Sequence, residues 1–269
     1  MKLMKEKILH DLAPEHPWAG NLHCYDCVPS TNTLAKEMAA QGAPHGTVLV
    51  AAAQSQGRGR LGRSFLSPPD SGVYLSVLLR PRCSPQELMH LTCAAAVAGA
   101  EAVEQVTGTY PRIKWINDLV MGDRKVAGIL TELSMNPSTH LVDWAVIGIG
   151  VNCRQKSEDF PPELQGIAGS LAMATGRDPE PAAVAAALID AFYRMDQQLL
   201  TGKKAMMERY RSLCLTLGRE VSLLRAGEIR HGRVLEMDDD GALLVRLEDG
   251  HTEWINSGEA SVRGLYGYL

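Results

Sequence analysis

The spacing of apolar residues divides the chain into a long first part, where helix and strand periods alternate, and a short last part of strand periods alone. Residues 2–12 show helical spacing that ends at Ala13-Pro14, a short lead. A strand over 22–27 runs into Val28-Pro29-Ser30-Thr31-Asn32. There Ser30 or Thr31 can cap a helix that gathers Leu34, Ala35, Met38 and Ala39 on one face and stops at Gly42. The run 47–53 is apolar throughout and reads as a buried strand that delivers Gln54 to its end. Another strand is expected over 73–79. Ser84-Pro85-Gln86-Glu87 has the form of a capping box with proline at the first helical position, so one long alanine-rich helix is expected from there to Gly108.

Residues 112–116 predict a short strand, and Gly122-Asp123 a hairpin turn that returns through 124–132. The run 142–153 is the most apolar strand. Its Gly148 and Gly150 alternate, so both remove side chains from one face, which Asn152 continues with a polar group. That face must admit something flat, either another backbone or a ligand. Helices follow over 181–200 and 204–213. From Arg219 the period switches to strands over 220–224, 228–237, 242–247 and 251–255, separated by Asp238-Asp239-Asp240-Gly241 and Glu248-Asp249-Gly250. The residues thus predict an α/β body over 1–217 and a small C-terminal β-barrel over 218–269.

Charge narrows the chemistry. With 269 residues and a formal net charge of −4, the chain lacks the clustered basic face of a general nucleic-acid binder, and DNA is not expected as a partner. Met1-Lys2-Leu3-Met4-Lys5-Glu6-Lys7 is broken by charges, unlike a secretory signal. No apolar run is long enough to span a bilayer, so no membrane partner and a cytoplasmic location are expected. The six cysteines are scattered and form no disulfide framework. Cys24 and Cys27, after His23, lack the second ligand pair of a zinc site. The Val28-Pro29 that follows is not the helix start of a redox pair.

Two stretches carry chemistry. Gly57-Arg58-Gly59-Arg60-Leu61-Gly62-Arg63 packs three glycines and three arginines into seven positions, combining close backbone approach with permanent positive charge. Its glycines satisfy G-x-G-x-x-G, but the following Ser64-Phe65-Leu66-Ser67-Pro68-Pro69 cannot open the helix that a dinucleotide turn requires. A solvated basic loop or a loop folded over an anionic ligand remains, and the second accounts for the glycines and arginines together. The other stretch is the strand-and-hairpin unit bearing Lys114, Asn117, Asp118 and Lys125. Two lysines, an amide and a carboxylate suit phosphate oxygens and a divalent cation, or else are surface charges on a hairpin.

The Gly57–Arg63 loop, Lys114-Trp115-Ile116-Asn117-Asp118-Leu119, Arg124-Lys125-Val126-Ala127-Gly128-Ile129-Leu130 and Gly148-Ile149-Gly150-Val151-Asn152, in that order, closely resemble the bacterial biotin protein ligases. The similarity runs from about Cys27 to the C-terminus. It implies a central mixed sheet flanked by helices, akin to the class II aminoacyl-tRNA synthetase catalytic fold, followed by an SH3-like barrel. It implies biotin and MgATP as substrates, and the biotin carboxyl carrier domain of a carboxylase or decarboxylase as partner. It leaves monomer and homodimer both open.

Carried over by residue, the resemblance assigns Ser30, Thr31, Asn32 and Gln54 to the ureido ring of biotin. The backbone at Gly57, Arg58 and Gly128 would complete the pocket, and Gly148 and Gly150 would make room for the flat bicycle. Arg60, Arg63, Lys114 and Lys125 would face the carboxylate and phosphates, with Lys125, Arg60 and Lys114 the catalytic group. Asp118 would help hold Mg²⁺, Asn117 and Asn152 would lie near the nucleotide, and Glu259 and Arg263 would lean back toward it from the barrel. Three departures stand out. Ile116 occupies a position where the family usually carries proline, and Phe65 one where a tryptophan often stacks on adenine. The lead is also too short for the N-terminal DNA-binding domain of the bifunctional members, so a monofunctional ligase is expected. The implied rivals are a lipoate or octanoate ligase or transferase of the same fold, which would have little use for Ser30, Thr31 and Gln54, and a biotin-sensing regulator.

Overall fold

The computed structural model describes residues 2–225 and 228–256 and the backbone of 261–264. Helix α1 (Lys2–Asp11) leads to β1 (Leu22–Val28), α2 (Thr31–Ala40), β2 (Thr47–Gln54) and β3 (Gly72–Leu79). Helix α3 (Leu91–Thr107) precedes β4 (Arg112–Lys114), β5 (Asp118–Met121), β6 (Arg124–Met135) and β7 (Val142–Asn152). These strands form one seven-stranded sheet in the order β1-β2-β3-β7-β6-β5-β4. The β1–β2 pair is parallel and the other pairs are antiparallel, so the sheet is mixed. After the short α4 (Leu171–Thr175) come α5 (Pro181–Gln198) and α6 (Lys203–Leu213). Strands β8 (Glu220–Arg225), β9 (Glu228–Met237), β10 (Leu243–Leu247), β11 (Thr252–Ile255) and β12 (Ser261–Gly264) make a separate five-stranded antiparallel sheet.

Both faces of the main sheet are covered, which is why every residue of β3 is buried. Val73, Leu75, Val77 and Leu79 join Ile147, Ile149 and Val151 in the core shared with α3 and α5. The opposite face meets α2, where Ala35 and Ala39 pack on Leu49, Leu78 and Val146. Gly148 and Gly150 fall on this second face by strand alternation. No helix among the described residues is long and apolar enough to cross a membrane.

Two expectations are corrected. The capping box is real, with Ser84 N and Oγ each 2.8 Å from Glu87 Oε2, but it closes a separate 3₁₀ turn, Pro85–Leu88, and α3 begins only at Leu91. The break lies at His90, whose fully buried ring turns inward to the Leu199 carbonyl. The strand expected over 112–116 stops at Lys114, because Trp115 and Ile116 turn inward and are buried. The short α4 and β12 carry no spacing long enough to be read, and neither was expected.

The buried histidines set a pH response. His90 Nε2 lies 3.0 Å from the Leu199 carbonyl, so the neutral ring donates there. Burial pushes its pKa below the ordinary value, against the opposing pull of that carbonyl. His16, packed edge-on against Trp18 and Tyr193, is shifted down by burial as well, with Asp190 opposing. The unfolded chain therefore binds more protons than the folded one once pH drops below about 6.5. Stability is complete above that pH and is lost on acidification toward the lowered folded values. The melting midpoint is expected to fall between about pH 7.5 and about pH 5.5, with a shallower fall in His90→Gln. Identical slopes in the two proteins would remove His90 from this account.

Candidate active site

One register row crosses five strands and sets the site. Tyr74 on β3, Gly150 on β7, Gly128 on β6, Asp118 on β5 and Lys114 on β4 stand opposite one another in turn. The adjoining row is Ser76, Gly148 and Leu130. The α2 N-terminus closes one end of this face. Ser30 is its cap, accepting from Thr33 N at 3.4 Å. Thr31 donates from N at 2.8 Å and from Oγ1 at 3.2 Å to Gln54 Oε1, while Gln54 Nε2 donates to Ser67 Oγ at 2.9 Å. Ser76 Oγ sits 2.8 Å from Thr31 Oγ1 and 2.7 Å from Asn32 Oδ1. Asn32 Nδ2 donates to Leu130 O at 3.1 Å and to Glu132 Oε2 at 3.0 Å. Ser30, Thr31, Asn32, Gln54, Arg58, Gly128, Gly148 and Gly150 line one cavity of about 30 Å³, roughly the room of one water.

The glycine-arginine loop is a narrow hairpin. Arg58 pairs with Ser64, Gly59 N donates to Arg63 O at 2.7 Å, and Phe65 N donates to Gly57 O at 2.9 Å. Its arginines diverge. Arg58 reaches Glu132 Oε1 at 3.4 Å, and Arg60 donates to Asn117 Oδ1 at 3.1 Å, while Arg63 is exposed beside a depression of about 400 Å³ within the loop. Burial lowers the Arg60 pKa, with the Asp118 charge opposing. Burial also pushes the Glu132 carboxyl up, but Lys36 at 2.7 Å, Asn32 and Arg58 outweigh it and hold it below the usual range. Glu132 is therefore an ionised post to which Arg58 is tied.

At the other end of the row, Lys125 Nζ lies 2.6 Å from Asp118 Oδ1. Its main chain is fixed by Lys125 N to Ile167 O at 2.8 Å and Gly169 N to Lys125 O at 2.9 Å. The side chain crosses Gly128, where a Cβ would stand 2.9 Å from Lys125 Nζ. Asn117 Nδ2 donates to Ile129 O at 2.9 Å, so the β4–β5 turn is tied to β6. The result is a polar pocket joined, over a floor of glycines, to a group of lysines, arginine and carboxylate.

Comparison with known proteins accords with this layout. The pattern of the Biotin/lipoate A/B protein ligase family matches residues 24–152, and that of the biotin protein ligase C terminal domain matches residues 216–263. The biotin--[acetyl-CoA-carboxylase] ligase of Paracoccus denitrificans is 31% identical over 230 residues, covering 81% of this chain and 90% of that one. The chain belongs to the biotin protein ligase family. The bifunctional ligase/repressor BirA of Bacillus subtilis strain 168 is 35% identical over 227 residues, 84% of this chain and 69% of its own length. Among solved structures, the biotin protein ligase from Aquifex aeolicus in complex with biotin and ATP matches with a TM-score of 0.76. It is 31% identical over 91% of this chain and 99% of that one.

Within this fold, several of the residues assigned above meet protein neighbours. Gly148 makes room for Asn32, because a Cβ there would overlap Asn32 Oδ1. Gly150 is covered by the Phe65 ring, which also approaches Gly128 and meets Tyr74 edge-on at 6.4 Å between centroids. Phe65 thus lies on the glycine floor. Asn152 is buried and donates to Gly169 O at 2.9 Å, so its amide braces the loop behind Lys125. Glu259 and the Arg263 side chain lie outside the described residues. The peptide between Trp115 and Ile116, where the family usually has proline, is cis. Cys24 is half-buried and Cys27 exposed, and no group of three metal-ligating side chains occurs among the described residues. Two site residues escaped the sequence reading. Ser76 had a signal, as a polar residue inside an apolar strand, whereas Glu132 looked like any hairpin charge.

Proposed function

We propose that the chain joins biotin to protein in two steps on this site, with its catalytic part over 1–217 and its barrel over 218–269. In the first, a biotin carboxylate oxygen attacks the α-phosphorus of ATP, forming a P–O bond and releasing pyrophosphate. In the second, a lysine amine of a biotin carboxyl carrier domain attacks the mixed anhydride, releasing AMP and a proton. The observation that carries this reading is the register row. It sets Lys114 and Asp118, to which Lys125 is paired, at one end of a glycine floor whose other end holds Thr31 and Gln54.

Thr31 and Gln54 offer the donor and acceptor that a ureido ring needs, with Ser30 and Asn32 beside them. Arg60 and Lys125 supply fixed positive charge where carboxylate and phosphate must approach, which lowers their repulsion and stabilises the transition state. Mg²⁺ arrives with ATP as substrate. Asp118 is the carboxylate that suits it, and the cation and phosphates would then replace the present Asp118–Lys125 pair. The Phe65 ring lies against Gly150 and Gly128, so it must leave the glycine floor before a flat ligand can lie there. The phenyl ring is then available to stack on adenine.

The family pattern over 24–152 also covers lipoate ligases. Lipoate has no ureido group, and it would leave Thr31 and Gln54 without a ligand partner, a costly outcome in a buried site. Calorimetry is expected to show biotin bound and lipoate not. Equal binding of both would favour the lipoate reading.

A further inference from the structure

The turn that presents Asn117 and Asp118 is held from behind by groups that lie far along the chain. Trp115 N donates to Thr216 Oγ1 at 3.1 Å, in the segment between α6 and β8. The indole Nε1 of Trp115 donates to the Gly241 carbonyl at 2.8 Å, in the turn between β9 and β10. The carbonyl of Ile116 accepts from the Tyr210 hydroxyl of α6 at 3.1 Å. Trp115, Ile116 and Tyr210 are all buried. Burial raises the Tyr210 pKa, so its hydroxyl keeps its proton and donates.

The β9–β10 turn is itself pinned. Arg211 Nε donates to Met237 O at 3.0 Å, and Arg211 and Lys203 pair with Asp239 and Asp240. A Cβ at Gly241 would stand 2.8 Å from Cys93 Sγ, so this turn presses on α3. The carbonyl that meets the indole is therefore a fixed point of the C-terminal sheet. The biotin-side groups hang on other bonds, those of α2, β2 and Ser76. The two ends of the site are thus supported separately.

We infer that Trp115 is a positioning residue for adenylation: through the Gly241 carbonyl it fixes the Asn117–Asp118 turn to the C-terminal sheet, and so sets the affinity for MgATP but not for biotin. The inference rests on the ligase reading above. Trp115→Phe keeps a ring in the space and deletes the N–H, and Tyr210→Phe deletes one hydroxyl. In the full-length enzyme, each is expected to raise the KM for ATP in biotin-dependent pyrophosphate exchange by about 5- to 10-fold, the loss of one buried hydrogen bond. The biotin Kd, measured by calorimetry without ATP, is expected to stay within about twofold. An unchanged KM for ATP, or an equal weakening of both substrates as in a merely structural role, overturns the inference. If Trp115→Phe does not fold, Tyr210→Phe decides alone. Wild-type enzyme with no exchange overturns the ligase reading and this inference together, whereas active wild type beside unaffected variants overturns the inference alone.

Discussion

Lys125→Ala is expected to slow biotin-dependent pyrophosphate exchange by about 10²- to 10³-fold, the scale of removing one preorganised charge-stabilising donor. Biotin binding is expected to survive within a few-fold. The reason is the way the residue is held. The β6 backbone around Lys125 is fastened by Ile167 and Gly169, so truncating the side chain leaves the strand in place. What disappears is the ammonium 2.6 Å from Asp118, beside the glycine floor. Lys125→Arg would retain charge but not the compact point charge that fits across Gly128, and only partial recovery is expected. Exchange near the wild-type rate in Lys125→Ala would remove Lys125 from the chemistry.

The second large effect concerns the glycine floor. Gly150→Ala is expected to weaken biotin about 10- to 100-fold, the range for forcing a methyl into a packed site. A Cβ there overlaps the Phe65 ring as it now lies. Even after Phe65 leaves, the methyl would project into the space that the flat ligand needs. ATP binding is expected to change little, because Asp118, with its partner Lys125, and Lys114 stand farther along the row. Calorimetry with each substrate alone separates the two ends, and unaltered biotin affinity would place the ligand elsewhere.

Much of this site was legible in the chain because its logic is local. Ser30 caps α2 as its position before the helical period required, and the alternation of Gly148 and Gly150 marked one face of β7. Alternation could not say what fills that face. Asn32 and Phe65 occupy it, and neither lies close to β7 in sequence. The capping box at Ser84 shows a different limit, since it forms as read yet caps a turn that His90 ends by burying its ring. The supports of the Asn117–Asp118 turn left no local trace. Trp115 and Gly241 are separated by 126 positions and Ile116 and Tyr210 by 94, and a buried indole or hydroxyl does not announce its partner. The resemblance named the polar groups one by one, while the contacts that hold them depend on the tertiary fold.

The measurement that bears most directly on the central claim is the mass of a biotin carboxyl carrier domain after incubation with this enzyme, biotin and MgATP. The account predicts that the carrier gains the mass of one biotinyl group on its acceptor lysine, that omitting ATP prevents the gain, and that lipoate gives none. A carrier whose mass stays unchanged with all three components present would contradict it.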